Sequence, residues 1–480
     1  DAVGGVISVT TRTGSGPAKA EASLEGGSFG TFNQTAAVSG SWDRMSYAVD
    51  LAHLRTDDSL VTPADLAPKR NNDSYDNQSI GGKLGFKVTD HVDLGLVARY
   101  AQTDLHFTSD FDFGAGPDPV QSKSLADQLF TRLTAHASLF DGRFDQTLGV
   151  GYTWYRRDDL VANNPPSAND GDRYKIDWQG AFKLTPDETM VFGAEHQRDE
   201  IYRSPINAHL TNDAGFLELQ SSLGGRFFNT LAVRYDSNDR YGGYVTYRIA
   251  PSYLVAETGT RLKASIGTGF KAPTLSELFV NFPAFFFSAN PNLRPEHDFG
   301  YDLGFEQDIA PLHAQFGATY FHNDITDLIE INNSFTMDVN VGRATTQGVE
   351  AFVLWRPIAT VTARTDYTYT DAENDDIHDQ LLRRPKDKLS LDVAWQATSR
   401  FQATAEVLYV GHWIDGNRSF SIPRLDAPGF TTVNLTGAYE VAQNLTLFGR
   451  VTNLFDRRYQ DPVGFLQPRV GVFAGAKASF

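Results

Sequence analysis

Oxygen donors are the first residues here that could do chemistry. Asp57, Asp58, Asp73 and Asp76 fall in one stretch and Asp104, Asp110 and Asp112 in the next, with Asn71, Asn72 and Asn77 nearby. Calcium takes six to eight oxygens from carboxylates and carbonyls, so such a set could hold that ion. A solvated acidic surface is the bland alternative. A second group is apolar: Phe279, Phe282, Phe285, Phe286 and Phe287 crowd one connection that also carries Asn290 and Asn292. Aromatic density in an exposed connection marks a contact surface, either for a ligand or for a neighbouring loop. From this group Phe282, Phe285, Phe286, Phe287, Asn290 and Asn292 are the expected ligand contacts. Catalysis has little to stand on. His91, His196 and His412 are scattered without an evident nucleophile, no Gly-x-Ser-x-Gly elbow is expected, and the chain contains no cysteine. No enzymatic activity is expected.

Those residues must be positioned by strands. Phe144, Leu148, Val150, Tyr152 and Trp154 share one face of a segment whose other face is Asp145, Thr147, Gly149, Gly151 and Thr153. Period-two alternation of this kind belongs to a strand with one apolar and one polar side. It recurs at Val92 to Tyr100, Leu389 to Trp395 and Val433 to Tyr439. Ten residues at ~3.4 Å rise and ~40° tilt place Phe144 and Trp154 roughly 25 Å apart along a membrane normal, the height of an outer-membrane apolar band between aromatic girdles. The opposite face is small and polar, which suits an aqueous lumen and not a soluble sandwich core.

The connections alternate as well. Ten short polar turns, near residues 40–44, 89–91, 140–142, 185–188, 224–225, 257–260, 309–312, 357–360, 398–400 and 441–444, separate eleven connections on the other side. Long ones are expected at about 57–76, 105–123, 158–170, 271–296, 373–385, 414–428 and 457–468, and short ones near Ser28, Ser204, Asn238 and Asn333. Ten and eleven imply twenty-two strands, provided Ala314 to Ile331 is one strand despite Asn323 and Asp324. The expected fold is all-β, a transmembrane antiparallel up-and-down β-barrel. A formal charge of -17 excludes a nucleic-acid surface, which needs clustered Lys and Arg. With 34 Phe and 41 Gly, composition favours strands and turns over helices.

Four segments, in order, resemble the TonB-dependent outer-membrane receptor family: DAVGGVISVTTR at the start, FKAP at 270–273 with NPNLRPE at 290–296, TTQGVE at 345–350, and NLFDRRY at 453–459 followed by a terminal Phe480. The resemblance implies that residues 1–13 are the remnant of the end of a plug domain and 14–480 the barrel, with residue 1 internal to a longer precursor. It implies location in the cell outer membrane among lipid and lipopolysaccharide, capture of a small-molecule nutrient at the extracellular loops, and energy supplied by the TonB complex through the missing plug segment. A monomer is expected. The aspartate-rich run NNDSYDNQ is loosely similar to cobalamin receptors, whose early loops hold calcium; no other cofactor is required. Cobalamin is therefore the first expected cargo and a ferric siderophore the second. Haem is disfavoured, since family haem receptors carry a histidine between the FKAP-like and NPNL segments and none lies between Thr274 and Ala289. A passive porin-like channel is the remaining alternative.

Overall fold

A computed structural model of the chain describes residues 10–58, 62–63, 73–108, 121–160, 166–281, 287–332, 336–416, 422 and 424–480. Twenty-two antiparallel strands form one closed ring. The first eleven are β1 Lys19–Gly27, β2 Thr31–Trp42, β3 Met45–Thr56, β4 Ser74–Thr89, β5 Val92–Thr108, β6 Gln121–Leu139, β7 Phe144–Leu160, β8 Ser167–Thr185, β9 Glu188–Arg203, β10 Ile206–Leu223 and β11 Phe227–Asn238. The others are β12 Gly242–Val255, β13 Thr260–Lys271, β14 Glu296–Ile309, β15 Ala314–Ile331, β16 Asp338–Ile358, β17 Val361–Asn374, β18 Asp387–Gln396, β19 Phe401–Val410, β20 Phe430–Ala442, β21 Leu445–Thr452 and β22 Gly471–Ser479. Each pairs with its neighbours in sequence, and β1 closes the ring on β22 from Glu21↔Ser479 to Gly27↔Phe473. Closure leaves no unpaired sheet edge, the condition for a sheet to span hydrocarbon. The twenty-two strands, the ten short turns and the unbroken Ala314–Ile331 strand match the sequence expectation.

The two faces separate as the alternation requires. Leu24, Leu133, Ile176, Val245 and Leu303 are among many large apolar side chains exposed on the outer wall, where lipid covers them. Phe480 directly follows β22 on that wall and is 75% exposed. Near the short turns Phe144 stacks on Phe192 with ring centres 6.1 Å apart, and Trp178 meets the same Phe192 edge-on at 5.4 Å. The inner wall is charged and paired. Arg132 donates two hydrogen bonds to Asp177 at 2.8 and 2.7 Å, Glu195 lies between Lys175 at 2.8 Å and Arg234 at 3.3 Å, and Arg450 makes two bonds to Glu25.

One set of expected boundaries needs correction. Several outer connections are shorter than the sequence suggested, because strands continue into them: β5 runs to Thr108, β7 to Leu160, and β8 starts at Ser167. Backbone pairing above the bilayer satisfies the same N–H and C=O groups at no extra desolvation, so the ladder does not stop at the membrane surface. Above the apolar band the outward positions turn polar: the Tyr152 hydroxyl donates to Asp172 at 2.5 Å, and that of Tyr100 to Asp127 at 2.6 Å.

Candidate ligand-binding site

The connection between β13 and β14 is built by the two motifs that flank it. Lys271 pairs with Glu296 at 3.2 Å; Glu296 is buried and also accepts from the Ile329 N–H at 2.9 Å. Phe270 is buried and stacks on Tyr244 with ring centres 4.8 Å apart. Thr274 then caps a single helical turn, Leu275–Phe279: its hydroxyl accepts from the Glu277 N–H, and the Glu277 carboxylate accepts from the Thr274 N–H. Leu278, Val280 and Leu293 bury the apolar side of this segment. Arg240 lies over the Phe279 ring at 5.1 Å and donates to the Pro291 carbonyl. The connection is thereby folded against the inner wall of β9 and β10.

Between that segment and the wall lies a cavity of about 680 Å³. Ala272–Ser276 form its cover, and the extracellular ends of β7 to β10 form its floor. Strand parity decides which side chains enter. Outward residues of β7 are even-numbered, so Tyr155, Arg157 and Asp159 point inward, and the same alternation sends Arg173, Asp199 and Arg203 into the lumen. Arg157 donates to Asp159 at 2.8 Å, Arg173 makes two bonds to Asp199, and Arg203 donates to Asn169 at 3.1 Å. Arg173 is 54% exposed; an ion pair this wet contributes about 0–1 kcal/mol, so an entering acceptor could take over the guanidinium at small cost. The sequence reading passed over these arginines, although counting on from Phe144 in steps of two would have placed Arg157 on the inner face.

The expected contacts fare unevenly. Phe282, Phe285 and Phe286 lie outside the described residues, as do Asp110, Asp112, Asn71 and Asn72. Phe287 sits in an isolated bridge beside them. Asn290 holds the loop together: its amide donates to the Asp338 carbonyl at 2.8 Å and its carbonyl accepts from the Asn292 N–H at 3.0 Å. Asp76 and Asp104 are direct partners across β4 and β5, on the outer wall. Basic groups meet them, His53 at 3.1 Å from Asp76 and Lys123 at 2.8 Å from Asp104, while Arg55 bonds Asp57 at 3.0 Å. Asp58 and Asp73 sit at either side of the same connection. Among the described residues no three carboxylates or histidines converge as a metal cage, so those present do not by themselves meet calcium's demand for oxygens. The letters Gly26–Gly30 satisfy Gly-x-Ser-x-Gly, against expectation, but they form the tight turn from β1 to β2, where the Ser28 hydroxyl accepts from the Val472 N–H at 2.8 Å.

Residues 18–454 match the TonB dependent receptor-like β-barrel family. The chain belongs to the TonB-dependent receptor family. It is 28% identical over 477 residues, 96% of this chain and 73% of the relative, to the vitamin B12 transporter BtuB of Photobacterium profundum. Among solved structures it is similar to a mutant ferric enterobactin receptor (PfeA) from Pseudomonas aeruginosa, with TM-score 0.83 and 16% identity over 98% of this chain and 81% of that one. The siderophore receptor PirA from Acinetobacter baumannii aligns with TM-score 0.83 and 13% identity over 98% and 81%. A copper transporter, OprC, aligns with TM-score 0.78 and 17% identity over the same shares. At these identities the structures speak for the fold alone. Family membership places the barrel in the outer membrane and makes it a transporter of nutrients, not an enzyme.

The family motifs turn out to be architectural. In TTQGVE, a Cβ on Gly348 would lie 2.0 Å from the Tyr369 carbonyl and 2.7 Å from the Phe321 ring. In NLFDRRY, Asn453 adopts a left-handed backbone (φ +49°). Its side chain accepts from the Arg457 N–H at 2.8 Å and donates to the carbonyls of Arg457 and Pro468.

Proposed function

We propose that the receptor captures a ferric siderophore in the luminal cavity beneath Ala272–Ser276 and delivers it to the periplasm, using energy relayed by TonB. The observation that carries this reading is the charge of the cavity: Arg157, Arg173 and Arg203 point inward against Asp159 and Asp199, within a protein of formal charge -17. Counting inward-facing groups, three guanidiniums meet two carboxylates, while Asp170, Asp172 and Glu200 at the edge of the same cavity face outward; guanidiniums held in exchangeable pairs favour a cargo rich in anionic acceptor oxygens, as iron chelates are. The test is titration of the full-length receptor with a panel of ferric catecholates and hydroxamates. Binding should weaken about tenfold or more when Arg173→Gln is introduced, from loss of a charge-assisted bond. Equal binding of all chelates by wild type and variant would refute the assignment.

Cobalamin is the second reading, and the relative in Photobacterium profundum is what favours it. Cyanocobalamin in the same titration separates the two. Tight binding of cyanocobalamin with no response to any chelate would transfer the assignment to it.

A further inference from the structure

The barrel wall is split beside the cargo cavity. β12 and β13 pair from Val255↔Thr260 to Ser252↔Lys263 and again at Ile249↔Ile266 and Arg248↔Gly267, and no further. Pro251 has no N–H to give at the interruption. Beyond Arg248 both strands run on, β12 from Gly242 along β11 and β13 to Lys271 along β14. Their facing edges stand apart, and the Tyr247 N–H donates to the Thr268 hydroxyl at 3.2 Å in place of a ladder carbonyl.

A cavity of about 270 Å³ occupies the split, and its lining comes from both faces of the sheet. Counting from the outward Val245 and Leu303, Tyr244 and Asp298 hold inward positions, whereas Phe270, His297, Phe299 and Asp324 hold outward ones. Side chains of opposite parity meet only where the sheet is open between them. Here they do: Tyr244 stacks on Phe270 at 4.8 Å and lies 5.3 Å from the His297 ring. Among the described residues Phe270 alone lines both this cavity and the cargo cavity. Pockets for a whole small molecule run to about 300–1,000 Å³, so the split has room for a substituent, reached past the Phe270 ring.

Charge decides what that substituent is. Asp298 is half-buried, and one of its oxygens is enclosed and accepts no hydrogen bond among the described residues. It lies eleven residues above Ile309, roughly 29 Å at ~3.4 Å rise and ~40° tilt, beyond the apolar band. Burial, and then Asp324, push its carboxyl up to about 6; it is charged at pH 7. The Lys271 amine on the same inward face is taken by Glu296 at 3.2 Å, and Asp324 is met by the His322 ring at 3.2 Å. An unpaired carboxylate beside aromatic faces suits an ammonium, which the rings attract and the carboxylate bonds.

We propose that the split binds a protonated amine carried on a side arm of the cargo, with Asp298 accepting its N–H groups and the Tyr244 and Phe270 rings, parted to admit it, flanking the charge. This rests on the capture of an iron chelate in the adjoining cavity and names one substituent of that chelate.

The test is titration of the full-length receptor near pH 7 with a ferric hydroxamate that ends in a primary amine and with its N-acetyl derivative, which lacks only the charge. Wild type should bind the amine form about tenfold or more tightly, the effect of one desolvated cation contact. Asp298→Asn should lower the amine form to the affinity of the acetylated one, Asp298→Glu should keep part of the preference, and both variants should keep the shifted gel mobility of a folded barrel. Equal binding of the two forms by wild type, or a preference that survives in Asp298→Asn, would overturn the proposal. Binding of neither form would instead refute the iron chelate as cargo, and n-butylammonium alone then decides the split. Protection of residues 244–249 from hydrogen exchange by n-butylammonium and not by n-butanol, lost in Asp298→Asn, would keep the amine site; no protection would remove it.

Discussion

Asp415 offers the sharpest test of how the outer loops are held. It is fully buried at the end of a short ribbon, Trp413–Asp415 paired with Leu425–Ala427. Its carboxylate accepts from Arg383 Nε at 2.9 Å, from the Gly416 N–H at 2.8 Å and from the Val463 N–H at 3.0 Å. Three connections, those after β17, β19 and β21, therefore meet at one side chain, beside the apolar cluster of Trp413, Ala427, Phe430, Tyr459 and Val463. In Asp415→Ala the half-exposed Arg383 can turn to water. The two backbone N–H groups cannot readily do so, and each buried donor left unmet costs about 1–3 kcal/mol. A local loss of about 3 kcal/mol corresponds to roughly a hundredfold faster opening. Hydrogen exchange should show that acceleration at residues 411–416 and 459–467 while the ladder of β2 to β10 stays protected, because barrel pairing does not run through Asp415. Asp415→Asn, which keeps one acceptor oxygen, should fall between. Unchanged protection at Gly416 and Val463 in the alanine variant would refute the idea that this carboxylate ties the loops.

Gly348→Ala should lower the yield of heat-modifiable folded barrel and its urea midpoint, since the added methyl meets backbone that cannot yield; overpacking of this kind costs about 1–3 kcal/mol or more. Asn453→Ala should destabilise the connection after β21 more than Asn453→Gly does, because glycine keeps the left-handed turn while both lose the side-chain bonds; limited proteolysis within 453–470 reads the order. Arg469 beside Asp456, helped by the Val470 N–H, lowers that carboxyl to about 2. Its contribution is therefore complete above the unfolded value of about 3.9 and is lost as pH falls through 2, so exchange in 453–470, corrected for intrinsic rate, should be flat from pH 8 to about 5 and rise below it. The same rise in Asp456→Asn would point to a different group.

The barrel could be read from the chain because lipid and water lie on opposite sides of one sheet. That contrast forces the alternation at Phe144 to Trp154 and leaves polar breaks wherever the strand turns. Beyond Trp154 the strand continues with unchanged parity, but water now lies on both sides and the polarity contrast vanishes. The run Arg156, Arg157, Asp158, Asp159 shows the result: Arg156 faces outward and bonds Asp158 at 3.1 Å, while Arg157 faces the lumen and bonds Asp159 at 2.8 Å. Identical residues do opposite things, and only the pairing register tells them apart. The motifs that carried the family resemblance fail to name the cargo for a related reason. Lys271, Glu296, Gly348 and Asn453 spend their chemistry on loop closure and strand packing, which every receptor of this architecture needs whatever it carries. Discrimination between cargoes has to come from the inward positions of the strand extensions, where substitution leaves both the hydropathy pattern and the ladder intact. Exchanging Arg157, Arg173 and Arg203 for glutamines should accordingly change which ligand binds without changing the amount of folded barrel, and a parallel loss of both would mean that these arginines are part of the scaffold.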